Sequence, residues 1–175
     1  MRQFLLALFF IPTTAIAELM IAVDNSITSD LSSQDLNLAI TNTPTAIGWS
    51  YIMDSSYHFK PKLNSIVPTQ LCTNLKGSYI ISYSVGWTAY PTDGSTSTVQ
   101  TYLFVIDYTN TETAFTHEPS ITIESVIYGG ATNLNTAVVE LFAGSCVELR
   151  VEALSTANDY PLTITPERVN LVIRN

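Results

Sequence analysis

The side chains able to do acid–base or nucleophilic chemistry are few and scattered in this 175-residue chain. The two imidazoles, His58 and His117, are far apart in sequence, and no Gly-x-Ser-x-Gly elbow occurs. Catalytic triads are assembled in space, so a β-sandwich hydrolase that brings an imidazole to a serine and a carboxylate stays an alternative. Because glycine motifs for phosphates and dinucleotides are also absent from the sequence, we expect a protein that is not an enzyme.

Calcium is the metal that the acidic residues suit best. Four of them fall in predicted loops, namely Asp93, Asp107, Glu112 and Glu118. They lack the dense spacing of a dedicated calcium loop, so solvated surface charge is the simpler interpretation. We therefore expect no cofactor.

The first residues are typical of a secretory signal peptide. Arg2 precedes an apolar run from Phe4 to Ile11, and a small-x-small site ends at Ala17. A membrane anchor would need about 20 apolar residues, and Pro12 ends this run after about half that length. We expect residues 1–17 to be removed and the mature chain to be secreted without a membrane span.

Composition argues against nucleic acid as a partner. The formal net charge is −8 and the sequence pI is about 4.5, so the chain repels phosphate backbones. Only 13% of residues are charged and 46% are hydrophobic, which is typical of a folded domain rather than an acidic disordered one.

Cys72 and Cys146 are the only cysteines in the sequence. One disulfide is the economical interpretation, because exported thiols oxidise. Two buried free thiols are the alternative. A zinc site is disfavoured, since two cysteines and two distant histidines lack the paired spacing of such sites.

Residues 18–43 form a polar segment without glycine or proline. A short helix capped by Ser32, with Asp35 completing the capping box, is one interpretation. An irregular arm is the other, because the apolar residues Leu36, Leu38 and Ile40 alternate instead of following a helical period.

From Pro44 to Asn175 short β-like runs alternate with turn residues, which predicts an all-β domain. Pro91–Gly94 separates two runs, Gly129-Gly130 ends another, and Pro161 and Pro166 enclose the last. Eight strands suit an antiparallel, two-sheet jelly-roll sandwich. The predicted strands are Ile47–Met53, Ser65–Gln70, Tyr79–Trp87, Thr98–Asp107, Ile121–Ile127, Thr136–Phe142, Cys146–Ala153 and Val169–Arg174.

The clearest predicted hairpin joins Thr136–Phe142 to Cys146–Glu152 through Ala143–Ser145. Its second arm alternates apolar with charged residues, which places Glu148, Arg150 and Glu152 on the solvent side. Arg150 would then lie between two carboxylates, and exposed pairs of this kind contribute about 0–1 kcal/mol.

The segment Gly77–Trp87 has two unlike faces. Large residues at alternate positions form one face, and the smaller Ile80, Ser82 and Ser84 lie on the other. With Val139–Gly144 and the alternating Val147–Leu149, this Gly-x-Tyr strand resembles the tumour necrosis factor-like jelly-roll family, which includes the globular heads of the complement q subcomponent. Ser145 replaces the family's usual aspartate, and seven glycines are too few for the collagen stalk of its bacterial members.

The resemblance implies a homotrimer. It places Ile80, Ser82 and Ser84 at the contact between copies and the other face of the strand in the core, that is Tyr79, Ile81, Tyr83 and Val85. A monomeric sandwich with a small polar face in water is the alternative. In the family the Gly77 and Thr136 strands are antiparallel neighbours, which implies that Cys72 and Cys146 come close enough for a disulfide.

The function expected from this resemblance is a secreted recognition or adhesion head that binds an extracellular protein or glycan. A coat or envelope component whose trimers pack into a layer is the structural alternative. Imaging of the cell surface separates the two, because only the second predicts an ordered layer.

Overall fold

The computed structural model describes residues 39–49, 58–62, 68–89, 96–116, 121–124, 129–155 and 162–174. Within these ranges every regular element is a strand, and no helix long and apolar enough to cross a membrane is found there. The strands are β1 (Ala39–Ile40), β2 (Thr45–Ala46), β3 (Phe59–Pro61), β4 (Gln70–Thr73), β5 (Gly77–Ala89), β6 (Thr96–Ile106), β7 (Glu112–Thr116), β8 (Ile121–Glu124), β9 (Gly129–Leu141), β10 (Cys146–Ser155) and β11 (Leu162–Arg174).

Two antiparallel sheets form the jelly-roll sandwich that the sequence predicts. Sheet A has the strand order β1-β11-β5-β9, and sheet B has the order β3-β4-β10-β6-β7. β2 also pairs with β10, and β8 pairs with β6. The predicted antiparallel neighbourhood of the Gly77 and Thr136 strands is confirmed, since β5 and β9 pair from Gly77–Leu141 to Ala89–Gly129.

Alternation explains why these segments form half-buried strands. In β10 the side chains of Val147, Leu149 and Val151 are fully buried between the sheets. A polar bridge joins the sheets near Trp87, whose indole N–H donates to Asn133 Oδ1 at 2.9 Å. Asn133 Nδ2 in turn donates to the carbonyl of Val99 at 3.1 Å, so the buried amide is satisfied on both sides.

The predicted hairpin is wrong. β9 pairs with β5 in sheet A, whereas β10 pairs with strands of sheet B, so the turn between them crosses from one sheet to the other. Leu141 and Val147 are both buried between the sheets. Two strands of a hairpin and two strands joined across a sandwich have the same alternation, and periodicity therefore cannot separate them.

Several predicted strand boundaries are also wrong. Residues 47–49, the described start of the predicted strand Ile47–Met53, are not in a strand, and β4 begins at Gln70, where the predicted strand Ser65–Gln70 ends. Gly129-Gly130 begins β9 instead of ending a strand, and β9 extends seven residues before Thr136. Pro166 lies inside β11, within the register shift between Ile164 and Val169. A proline is tolerated at such an irregularity because no ladder N–H is required there.

Several predicted features lie outside the described residues. They are the signal peptide 1–17, most of the segment 18–43, and the loop residues Asp93, His117 and Glu118. Ala39 and Ile40, from the end of that segment, form β1 on the edge of sheet A, and Ile40 belongs to the core.

Candidate functional site

The outer face of sheet A is centred on β5. The side chains of Tyr79, Ile81, Tyr83 and Val85 point inward and are at most 2% exposed, as the predicted core face requires. On the opposite face Ile80 is 46% exposed and Ser82 is half-buried. Ser84 is buried within the single chain, and its hydroxyl donates to the carbonyl of Arg168 at 3.2 Å.

β9 adds two large aliphatic residues to this face. Val138 lies opposite Ile80 and Leu134 lies opposite Ser84, and they are 68% and 67% exposed. The sequence prediction missed Leu134, because it began the strand at Thr136. Alternation continued back to Gly129 would have placed both residues on the outer face.

Small polar residues of β9, β5 and β11 lie beside these aliphatic side chains. The hydroxyls of Ser82 and Thr136 are 2.9 Å apart across the strand pair. They belong to an open depression lined by Ser82, Tyr83, Ser84, Leu134, Asn135, Thr136 and Asn170. The outer face of sheet A therefore combines projecting aliphatic residues on its edge strand with a shallow, hydroxyl-lined floor.

Gly86 continues the small-residue floor for a steric reason. A Cβ atom at this position would lie 2.3 Å from Cβ of Arg168 on β11. The bend of β11 around its register shift brings the two strands this close. Only glycine fits without a shift of β11.

The predicted disulfide is present. Cys72 on β4 and Cys146 on β10 lie directly opposite each other, with their Cα atoms 3.8 Å apart, and are covalently joined. Next to them Thr73 N donates to the carbonyl of Ser145 at 2.9 Å, and Gly144 N donates to that of Thr73 at 2.8 Å. The β4–β5 and β9–β10 connections are thus held together at one end of the sandwich.

Three exposed apolar side chains surround this end. Leu75 is 40% exposed, Phe142 is 49% exposed and Tyr108, in the β6–β7 turn, is 71% exposed. The ammonium of Lys76 lies 4.9 Å from the ring centroid of Phe142, within the range of a cation–π contact. We call Leu75, Lys76, Tyr108 and Phe142 the loop-end cluster.

The turn that carries Tyr108 is fixed by Asp107. Its Oδ1 accepts hydrogen bonds from the amides of Thr109 and Thr111 and from the Thr109 hydroxyl, at 2.6–2.9 Å. These bonds, the Thr109 hydroxyl foremost, lower the pKa of the Asp107 carboxyl. Asn110 adopts the left-handed conformation at φ 64°, which asparagine tolerates. Asp107, one of the acidic residues considered as calcium ligands, thus stabilises the turn.

An ion-pair network lies on the outer face of sheet B. Arg150 makes a two-pronged pair with Glu112 at 2.8 and 2.9 Å, bonds Glu148, and stacks 3.9 Å from the ring centroid of Phe104. The prediction placed Glu148, Arg150 and Glu152 on the solvent side, with Arg150 between the two carboxylates. The contact with Glu148 is present, but Glu148 is only 3% exposed, Glu152 accepts the Tyr102 hydroxyl, and the second carboxylate at Arg150 is Glu112.

The network shifts the acidity of its members. Arg150 lowers the pKa of the Glu112 carboxyl, chiefly through its hydrogen bonds. Desolvation, followed by the bond to Glu152, raises the pKa of Tyr102 to about 12. The buried Glu148 carboxylate is held by the Arg150 guanidinium and by the Thr69 hydroxyl at 2.9 Å. Every one of these charges has a structural partner.

Of the candidates for catalysis and metal binding, His58, Asp107 and Glu112 lie within the described residues. His58 lies exposed just before β3, and Glu112 is committed to Arg150. Among the described side chains, no three drawn from His, Cys, Asp and Glu lie close enough together to hold a metal ion.

Solved structures similar to this fold include two crystal structures of murine APRIL, a tumour necrosis factor family member, at pH 8.0 and pH 8.5. They are 13% and 12% identical in sequence, with TM-scores of 0.50 and 0.51. The alignments cover 89% and 90% of this chain, and 96% and 98% of those chains. No family model and no curated protein matches the sequence. The chain has a tumour necrosis factor-like jelly-roll fold.

Proposed function

We propose that this protein is a secreted, homotrimeric recognition head without catalytic activity, in which the outer face of sheet A is buried between copies. The apolar N-terminal run supports export, and a disulfide suits an oxidising compartment. The fold shared with APRIL supports an assembly based on this sandwich. The ligand would be an extracellular protein or glycan.

The observation that carries the proposal is the exposure of Leu134 and Val138 on an edge strand. Large aliphatic residues that project from one face are typical of an interaction surface. They stand on β9, at the edge of sheet A, and the depression beside them, which Leu134 also lines, extends across β5 to Asn170 on β11. The edge of one copy can therefore pack on the floor of the next, a head-to-tail contact that closes into a ring when the rotation permits.

Ile80 and Ser82 take the same place in this proposal as in the family resemblance. Ile80 would be buried against the neighbouring copy, and Ser82 would belong to the floor. Ser84 would line the same floor, with its hydroxyl already bonded to the Arg168 carbonyl.

The test is a pair of charge insertions compared with a matched control. Val138→Glu and Leu134→Glu place a carboxylate in the proposed contact, whereas Leu154→Glu makes the same change at a 51% exposed residue of β10. We expect the first two variants to be folded monomers and the control to keep the mass of the wild type. Equal masses for all three variants would reject this contact.

The loop-end cluster is the proposed recognition surface. Aromatic side chains on rigid turns are common at the centres of interfaces, and Tyr108 is both highly exposed and held by the Asp107 turn. Tyr108→Ser and Phe142→Ser should keep the trimer mass and the melting temperature but weaken attachment of labelled protein to cell surfaces by about tenfold or more. Leu154→Ser is the matched control. Attachment that is unchanged in both cluster variants would place recognition elsewhere.

A further inference from the structure

The first half of β9 carries its side chains in an unusual order. Within residues 131–136, the inward positions lie opposite buried residues of β5, and they hold Ala131, Asn133 and Asn135. The outward positions hold Thr132, Leu134 and Thr136. The large aliphatic side chain of this segment thus faces out and its two amides face in, which reverses the usual pattern of a half-buried strand.

Burial of apolar surface alone favours the opposite arrangement, because that arrangement takes Leu134 out of water and returns two amides to it. A one-residue shift moves every side chain of a strand to the other face, and a β-bulge confines such a shift to part of the strand. A bulge at Val138 would turn over residues 131–136 and keep Val139 and Leu141 in the core, where they are 4% and 1% exposed. The observed arrangement therefore needs a specific cause.

Asn133 makes two hydrogen bonds that only the observed arrangement allows. The residue is 5% exposed, its Oδ1 accepts the indole N–H of Trp87 at 2.9 Å, and its Nδ2 donates to the carbonyl of Val99 on β6 at 3.1 Å. Trp87 is fully buried, so turning residue 133 outward would leave the indole N–H without this acceptor inside the sandwich. An unpaired buried donor costs more free energy than one hydrogen bond contributes net.

Asn135 is the weaker anchor of the two asparagines. It is half-buried, and its Nδ2 donates to the hydroxyl of Tyr83 at 3.3 Å. That hydroxyl also lies 3.4 Å from the hydroxyl of Thr101 on β6. Because Tyr83 keeps this second partner when Asn135 is lost, Asn135 serves as the matched control for Asn133.

We propose that Asn133 is the register-determining residue of β9: its two buried hydrogen bonds hold residues 131–136 in the observed arrangement and keep Leu134 on the outer face. The chain thereby gives up apolar burial inside one copy and keeps Leu134 available for burial between copies. For that second copy alone the inference rests on the proposed function. The anchoring itself acts within one chain.

Two NMR measurements on the wild-type chain test the anchoring. The indole N–H of Trp87 should exchange with solvent roughly 100-fold slower than that of a free indole, because it is bonded to Asn133. The methyl groups of Leu134 should show no nuclear Overhauser effect to the side chain of Val99, which belongs to the core. Exchange at the free rate, or a contact of Leu134 with Val99, would overturn the proposal.

The variant Asn133→Thr removes the amide and introduces a good strand former whose hydroxyl tolerates solvent. We expect Leu134 to gain contact with Val99 in this variant, and the variant to lose the assembled mass of the wild type. Asn135→Thr should keep Leu134 outward and keep the assembled mass. A folded Asn133→Thr chain with Leu134 still outward, or a turned-over segment in both variants, would overturn the proposal.

The outcomes separate this inference from the trimer. A wild type with the mass of one chain, together with a turned-over segment in Asn133→Thr, would reject the trimer and keep the anchoring. Should Asn133→Thr fail to fold, the wild-type exchange decides, and a freely exchanging Trp87 indole still overturns the proposal.

Discussion

Ile80 on β5 lies directly opposite Val138 on β9, and both side chains point away from the core of the sandwich. They are 46% and 68% exposed, on the face where a single chain offers no cover among its described residues. Burying such a pair against another apolar surface contributes roughly 25 cal/mol per Å². This pair, with Leu134 beside it, is the physical basis of the proposed assembly.

Loss of the disulfide should lower stability strongly. The bond between Cys72 and Cys146 closes a loop with a sequence separation of 74 residues. The chain-entropy model then predicts that the double variant Cys72→Ser, Cys146→Ser loses about 4 kcal/mol of unfolding free energy. Urea unfolding measures the loss. A change below about 1 kcal/mol would show that the hydrogen bonds around Thr73 suffice without the bond.

Arg150 should contribute more to the stability of the fold than its surface position suggests. Arg150→Ala leaves the Glu148 carboxylate buried with only the Thr69 hydroxyl, and it removes the stack on Phe104. We expect a loss of about 3 kcal/mol in unfolding free energy. Glu112→Gln, which breaks only the 43% exposed partner, should cost less than about 1 kcal/mol. Equal losses of unfolding free energy in the two variants would contradict the larger contribution expected from the contacts of Arg150 with Glu148 and Phe104.

Gly86 should not tolerate a methyl group. In Gly86→Ala the new Cβ would overlap Cβ of Arg168, so β11 must move, at a cost of about 1–3 kcal/mol. Gly77→Ala is the matched control, because its Cβ would meet only the Tyr79 ring, at 3.3 Å. Calorimetry should show the lower melting temperature for Gly86→Ala. A reversed order would mean that the β11 bend adjusts freely.

Acid should destabilise the fold partly through Asp107 and Glu112. Their hydrogen bonds, from Thr109 and from Arg150 respectively, hold each folded pKa below its ordinary value of 3.8 or 4.5. Their stabilisation is therefore complete above those ordinary values and is lost as the pH falls through the lower folded values. Between pH 7 and pH 3, the double variant Asp107→Asn, Glu112→Gln should lose less unfolding free energy than the wild type, as measured by denaturant unfolding. Parallel curves would contradict these pKa shifts.

Sequence periodicity predicted the fold class well because burial repeats along each strand. The inward residues of β10 follow from alternation in Val147–Val151, whereas alternation in Tyr79–Val85 gave two faces of β5 and the family resemblance indicated which one is the core face. The sheet-crossing turn after Leu141 did not follow, since which strand pairs with which is decided by contacts distant in sequence. The ion pair of Arg150 with Glu112 was not predicted for the same reason. Glu112 lies on β7, which is separated from β10 by β6 in the sheet.

The candidate surfaces were predictable only in part. Alternation in the Gly77 strand put Ile80 and Ser82 on one face, and the family resemblance proposed that face for contact between copies. Export made one disulfide the economical interpretation, and the resemblance implied that the two cysteines come close. The loop-end cluster did not follow, because Leu75, Tyr108 and Phe142 lie in three separate connections. Only the antiparallel order of the strands brings those connections to one end of the sandwich.

The most direct test of the central proposal is the solution mass of the mature, unmodified protein, measured by light scattering over a range of concentrations. The proposal predicts a stable species of three times the chain mass, with Leu134 and Val138 protected from solvent. A species that keeps the mass of one chain at all concentrations would contradict it, and would leave the aliphatic face of sheet A without its proposed cover.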